Sequence, residues 1–102
     1  MPRAFLIIAA LAALAAGPAL ASEALAKARH CLACHSVDKK IVGPAYRDIA
    51  KKFADQPDAA ATLSNAIVKG SQGTWGRVPM PPNAAVSPDE AKRLAAWVLS
   101  LK

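Results

Sequence analysis

The sequence is short of cysteine, of strand-like alternation and of long apolar runs. Its only cysteines, Cys31 and Cys34, lie three positions apart. A disulfide between them would close a very small loop and would restrict little of the unfolded chain, so a stabilising disulfide explains the pair poorly. No segment alternates apolar and polar residues as a β-strand would, and the fold class predicted from this absence is all-α.

The one long apolar run covers 13 residues, positions 4–16, and follows Arg3. It is shorter than the ~20 residues that a membrane span requires. Gly17-Pro18 is expected to break its helix, and Ala19-Leu20-Ala21 is the small-residue pattern that signal peptidases cut. The sequence therefore predicts a cleaved signal peptide over residues 1–21, export to the periplasm, and one domain over residues 22–102 without a membrane span. A retained membrane anchor is the alternative.

The charge balance is basic, with 13 Lys and Arg against 7 Asp and Glu and a formal net charge of +6. The basic residues are scattered and an exported protein rarely meets nucleic acid, so no nucleic-acid interface is expected. The charge either keeps the surface solvated or steers the protein toward an acidic partner. A domain of this size is also close to the limit below which a core needs a disulfide, a metal or a cofactor.

Three helices are predicted ahead of a stiff loop. Residues 23–30 are strong helix formers and lead directly to the cysteines. A helix over residues 46–53 and another over residues 58–69, capped by Asp58, each turn one apolar face inward. The inward-facing residues are Ile49, Ala50, Phe53, Leu63, Ile67 and Val68.

Glycine and proline dominate residues 70–82, for which a loop without regular structure is expected. Gly70 suits a left-handed end to the preceding helix. The last helix is the best specified, because Ser87 is an N-cap, Pro88 fits the first position and Glu90 completes a capping box. Its apolar stripe is Ala91, Leu94, Ala95, Val98 and Leu101, flanked by Trp97.

The segment Cys31-Leu32-Ala33-Cys34-His35 is the attachment sequence of a c-type haem. Cysteines at i and i+3 lie about one helical turn apart, so both thiols can add to the vinyl groups along one porphyrin edge. His35 then lies beneath the ring centre, where it can bind iron. A thioredoxin-like dithiol would need a βαβ context. A zinc site would need a fourth ligand, and the one candidate, His30, is too near in sequence to complete a tetrahedron. The predicted cofactor is one covalently bound haem c.

The second axial ligand is predicted by elimination. After cleavage Met80 is the only methionine, and it lies in the stiff stretch Pro79-Met80-Pro81-Pro82. His30 is too close to the attachment site to reach the opposite face of the haem. Methionine and histidine are a standard axial pair of haem electron carriers, although a methionine can also simply fill a gap in a core.

A haem iron with two protein ligands has no open position for a substrate. The predicted function is therefore a soluble one-electron carrier and not an enzyme. A gas sensor or peroxidase-like enzyme with an open sixth position is the alternative.

From Cys31 to Lys102 the sequence resembles the small class I bacterial cytochromes c of the c-551 kind. This resemblance implies a cytochrome c fold, with about four helices wrapped around one covalently attached haem. Nothing in the sequence suggests more than a monomer. The motifs that carry it are Cys31-Leu32-Ala33-Cys34-His35, Val42-Gly43-Pro44-Ala45-Tyr46, Gly70-Ser71-Gln72-Gly73-Thr74-Trp75-Gly76 and Val78-Pro79-Met80-Pro81-Pro82-Asn83.

The resemblance also implies three supporting roles. The carbonyl of Pro44 would accept a hydrogen bond from the His35 ring, Asn83 would hydrogen-bond near the Met80 sulfur, and the indole of Trp75 would donate to a haem propionate. A turn, a capped turn and simple packing are the respective alternatives.

Three positions depart from the family pattern. His30 and Ala26 stand where the family often has a glycine and an aromatic residue, so weaker packing of the first helix on Trp97, through groups such as Leu25, is expected. Ala66 stands where some relatives have an arginine that binds a propionate, which leaves Trp75 and Arg77.

By analogy with the family, the expected partners are a cytochrome bc1-type donor and a nitrite reductase or terminal oxidase as acceptor. The expected docking surface is apolar with a basic rim, so the complexes would be small, transient and partly electrostatic. Its apolar residues are Leu32, Ile41, Val42, Val78 and Pro79, and its rim is Lys39, Lys40, Lys51, Lys52 and Arg77.

Overall fold

The computed structural model describes residues 17–102, with side chains from residue 22 onward. The predicted leader run at residues 4–16 lies outside the described residues. Four helices and a small two-stranded sheet make up the described chain, so the predicted all-α class is confirmed with one local addition. The elements are α1 (Gly17–Ala28), a 3-10 turn (Cys31–Ala33), α2 (Tyr46–Lys52), α3 (Ala59–Lys69), β1 (Ser71–Gly73), β2 (Gly76–Met80) and α4 (Pro88–Leu99).

Helix α1 starts earlier and ends earlier than predicted. It includes Gly17 and Pro18, where a break was expected, because a proline in the first turn of a helix loses no hydrogen bond. It ends at Ala28, before the cysteines, because His30 has a left-handed backbone with φ 65°. The predicted cut after Ala21 lies within α1.

Helix α4 is the centre of the fold and contacts the other three helices. The predicted capping box is present: the Ser87 hydroxyl accepts from the Glu90 amide, and the Glu90 carboxylate accepts from the Ser87 amide. The core forms where α4 packs on α1, α2 and α3. Its buried residues include Ala26, Tyr46, Ile49, Phe53, Leu94, Trp97 and Val98.

Helix α3 begins and ends as predicted, but the Asp58 side chain makes no capping hydrogen bond. Gly70 ends the helix with φ +83°. Only Ala59 of α3 is buried, whereas the inward-facing Leu63, Ile67 and Val68 are half-buried.

The expectation of an irregular loop over residues 70–82 was wrong. β1 and β2 form an antiparallel hairpin in which Ser71 pairs with Met80 and Gly73 with Gly76, with an irregular register between. Gly73 and Gly76 both have positive φ and so permit the tight connection. The strands are too short and too exposed to show the alternation that identifies a half-buried strand in a sequence.

Candidate functional site

The attachment sequence folds into one tight turn. The 3-10 turn starts immediately after the left-handed His30, and the amides of Cys34 and His35 both donate to the Cys31 carbonyl, at 3.2 and 3.0 Å. Both cysteine side chains are half-buried, and burial raises the pKa of the Cys31 thiol. The two cysteines and His35 therefore lie on one tight turn of the backbone.

The His35 ring is oriented by the Gly43-Pro44 segment. Its Nδ1 lies 2.8 Å from the Pro44 carbonyl oxygen. Because a carbonyl can only accept, Nδ1 carries the proton, and Nε2 keeps its lone pair for a metal. A Cβ on Gly43 would lie 2.6 Å from Cε1 of His35. The backbone at position 43 is therefore closer to the ring than a residue with a Cβ would permit.

Tyr46 covers one face of the His35 ring, a contact that sequence reasoning missed. The two rings are stacked with centroids 5.0 Å apart and planes 20° apart. Trp97 in turn meets Tyr46 edge-on, with centroids 5.3 Å apart. The pKa of the Tyr46 phenol is raised well above its usual range, mainly because the side chain is buried. In the sequence, the only signal was an aromatic residue shortly after Gly43-Pro44.

Met80 is the last residue of β2 and is half-buried. Its segment is joined to the end of α3 by backbone contacts. The backbone amide of Asn83 donates to the Ile67 carbonyl at 3.0 Å. A Cβ on Gly70 would lie 2.7 Å from the Met80 carbonyl oxygen. The methionine is therefore held by backbone packing against α3.

The Asn83 side chain bridges the methionine segment to the end of α1. Its Nδ2 donates to the Arg29 carbonyl at 3.1 Å, and its Oδ1 accepts from the Ala85 amide at 3.1 Å. Both hydrogen bonds thus go to backbone groups, one of them two residues before Cys31. The role near the Met80 sulfur stays a prediction.

Trp75 lies in the turn of the hairpin and is 39% exposed. The Lys52 ammonium lies 5.3 Å from the centroid of its ring, within the range of a cation–π contact. Arg77 is exposed on β2. An indole N–H and two cations are thus available at this edge of the fold, and the propionate role of Trp75 stays a prediction.

These residues fit a haem. The thiols of Cys31 and Cys34 and an imidazole with a free Nε2 are the groups that attach and ligate a c-type haem. Apolar surface is available for the ring on the half-buried face of α3. Within residues 17–102, no three or more His, Cys, Asp and Glu side chains are close enough to hold a metal ion, so this part of the chain assembles no zinc site.

Two further features of the described residues bear on the predictions. Of the predicted docking surface, Leu32, Ile41, Val42 and Val78 are all exposed, from 37% to 63%. No helix within residues 17–102 is long and apolar enough to cross a membrane.

Sequence comparison gives close relatives. The model of the cytochrome c family matches residues 15–102. Cytochrome c-551 of Pseudomonas denitrificans is 59% identical over 80 residues, covering 78% of this chain and 96% of the relative. Cytochrome c-552 of Nitrosomonas europaea is 55% identical over 94 residues, covering 92% and 91%.

Structure comparison agrees. The crystal structure of wild-type Nitrosomonas europaea cytochrome c552 matches with a TM-score of 0.77 at 55% identity, covering 78% of this chain and 99% of that one. These findings confirm the predicted fold, the covalent haem c and a role in electron transfer that is not enzymatic. The chain belongs to the cytochrome c family, as a small class I member with one haem.

Proposed function

We propose that this cytochrome is a periplasmic electron carrier whose single haem iron is ligated by His35 and Met80. The hydrogen bond from Nδ1 of His35 to the Pro44 carbonyl is the observation that carries the proposal, because it leaves Nε2 unprotonated and fixes the ring. The bound haem supplies a one-electron couple between ferric and ferrous iron. The thiols of Cys31 and Cys34 hold it covalently.

The position of Met80 supports its part in the ligand pair. Met80 ends a strand whose backbone packs against Gly70, and Asn83 joins the same segment to both α3 and the attachment site. A thioether favours ferrous iron and raises the reduction potential relative to two histidines. With both axial positions filled, the protein exchanges electrons without binding a substrate at the iron.

Three residues tune the site under this proposal. Pro44 orients the imidazole and makes it more basic. Asn83 links the methionine segment to the end of α1 through its hydrogen bond to the Arg29 carbonyl, and the resemblance assigns its side chain a second hydrogen bond near the Met80 sulfur. Trp75 donates its indole N–H to a haem propionate, with the cations of Lys52 and Arg77 nearby.

The leader and the location belong to the same proposal. Residues 1–21 act as a signal peptide, and the mature chain starts at Ser22 as a soluble monomer in the periplasm. Mass spectrometry of the periplasmic fraction should give a chain that begins at Ser22 and carries the added mass of one haem. A chain that still includes residues 1–21 would contradict the cleavage.

The proposed partners are a cytochrome bc1-type donor and, as acceptor, a nitrite reductase of denitrification or a terminal oxidase. The exposed apolar residues and surrounding lysines support small, transient complexes. Rates of electron transfer to an acidic acceptor should fall as salt concentration rises, because charge mainly accelerates encounter. Rates that do not depend on salt would remove the basic rim from the proposal.

The absorption spectrum of the purified protein tests the ligand pair. The ferric protein should show the weak long-wavelength band of a sulfur–iron bond, and Met80→Ala should abolish it. Val78→Ala, an exposed change on the same strand, is the matched control and should keep the band. Rapid binding of carbon monoxide by the unmodified ferrous protein would instead indicate an open sixth position and favour a gas sensor or peroxidase-like enzyme.

A further inference from the structure

We propose that Tyr46 is a positioning residue that fixes the plane of the His35 imidazole, with Trp97 supporting it from behind. The inference rests on the proposed function, since it takes His35 as an iron ligand. Three contacts carry it: the hydrogen bond from His35 to Pro44, the stack of Tyr46 on His35, and the edge-on contact of Trp97 with Tyr46.

A hydrogen bond at one ring nitrogen does not determine the orientation of a ring. The bond from Nδ1 to the Pro44 carbonyl restrains one edge of the imidazole, but coupled changes of χ1 and χ2 can still tilt the ring plane. A flat side chain against the face opposes this tilt. Tyr46 lies against the ring with the two planes only 20° apart, so its own plane determines that of the imidazole.

Tyr46 is itself held more firmly than a surface aromatic would be. Its side chain is 5% exposed, and its amide donates to the carbonyl of Ser36, the residue after His35, at 2.9 Å. The neighbouring Arg47 amide donates to the Val37 carbonyl at 3.1 Å. The start of α2 is therefore tied directly to the segment that carries the imidazole.

Trp97 connects this stack to the most densely packed helix. It belongs to the buried face of α4 and meets the Tyr46 ring at 71°, an edge-to-face geometry that aromatic pairs favour. A change in α4 would thus be transmitted through Tyr46 to the orientation of His35. The sequence pattern places Trp97 beside the apolar stripe of the last helix, and the structure adds its contact with the Tyr46 ring.

The orientation of the imidazole plane can be measured separately from the stability of the protein. In a low-spin ferric haem with a His/Met pair, the plane of the axial imidazole and the orientation of the methionine sulfur together direct the unpaired spin density toward particular pyrrole rings. The spread of the four haem methyl shifts in the proton NMR spectrum of the oxidised protein reports that direction. A residue that only fills the core would alter the unfolding free energy and leave this spread unchanged.

The test uses the full haem-loaded protein with two substitutions at position 46. Tyr46→Leu removes the flat ring, and we expect it to change the spread of the haem methyl shifts. Tyr46→Phe keeps the ring without the hydroxyl, and we expect it to retain the spread of the unchanged protein. Phe53→Leu is the matched control, because Phe53 is an equally buried aromatic at the other end of α2.

The outcomes separate this inference from the proposed function. A Tyr46→Leu protein that is less stable but keeps the original methyl shifts would overturn the positioning role. An unchanged protein without low-spin ferric signals would refute the axial ligation itself. Should Tyr46→Leu fail to fold, Trp97→Phe removes part of the support and must still alter the spread more than Phe53→Leu does.

Discussion

The two sides of the proposed axial pair are held by different kinds of contact. On one side, the His35 ring itself is enclosed: the Pro44 carbonyl meets its edge, the Tyr46 ring covers its face and the Gly43 backbone lies against Cε1. On the other side, Met80 ends an exposed hairpin strand and is held through the backbone of its neighbours.

The positions of His35 and Met80 therefore depend on different parts of the chain. The histidine side draws its rigidity from the core, because Tyr46 and Trp97 are both buried. The methionine side depends on the backbone conformation at Gly70 and on hydrogen bonds made by Asn83. We therefore expect strain introduced at Gly70 to release the methionine while the histidine side stays intact.

The largest effect on stability is expected for Gly70→Ala. The left-handed backbone at φ +83° disfavours a side chain, and the new Cβ would lie 2.7 Å from the Met80 carbonyl oxygen. Together, backbone strain and overpacking should cost about 2–4 kcal/mol. Denaturant titration measures the loss, and the long-wavelength ferric band should disappear before the fold does.

Gly73→Ala is the control for that substitution. Gly73 has a similar φ of +81°, but its Cβ would enter open space. It should cost only the backbone part, about 1–2 kcal/mol. Equal losses for the two variants would mean that the contact with Met80 is unimportant.

Gly43→Ala should act on the histidine side instead. Gly43 does not have a positive φ, so its cost comes from the 2.6 Å approach to His35 alone and should be about 1–3 kcal/mol. The imidazole must shift, which should change the reduction potential while the sulfur–iron band is retained. A variant with unchanged stability and unchanged potential would contradict the tight enclosure of His35.

Local signals in the sequence were sufficient for much of this architecture. The capping box of Ser87 and Glu90 predicted the start of α4, and the attachment motif predicted the turn of Cys31 to His35. Each depends on residues within about one helical turn of each other.

Features that depend on tertiary contacts were missed. The stack of Tyr46 on His35 joins two elements that only the folded chain brings together, and Asn83 reaches Arg29 across 54 positions. The hairpin was missed because short exposed strands have no apolar period, and the glycines that suggested a loop are the ones that form its turn.

The ion pair of Arg29 with Glu90 joins the end of α1 to the start of α4. The Arg29 carbonyl also accepts a hydrogen bond from the Asn83 side chain, so the segment that carries Met80 is linked to the same place. The hydrogen bond from Arg29 is the main cause that lowers the pKa of the Glu90 carboxyl below its usual 4.5. A lowered pKa stabilises the fold above the unfolded pKa, and this stabilisation is lost as pH falls through the folded value. Glu90→Gln should therefore lower the denaturation midpoint at neutral pH.

The difference between Glu90→Gln and the unchanged protein should shrink as the pH is lowered below 4.5. Asp89→Asn is the control, since it removes a carboxylate from the same first turn of α4 without breaking the ion pair with Arg29. Because glutamine can still accept the capping hydrogen bond from the Ser87 amide, a difference that is independent of pH would show that the charge of Glu90 is not what stabilises the fold.

His30→Gly should have the smallest effect, and in the opposite direction. His30 holds a left-handed backbone at φ 65° and ψ 20°, which a side chain disfavours and glycine adopts freely. Glycine also loses more freedom on folding, so the net gain should be at most about 1 kcal/mol. His30→Ala keeps the backbone penalty and should bring no gain. If the alanine variant proved the more stable of the two, the turn before Cys31 would not be strained, and the stability of the histidine side would come from packing alone.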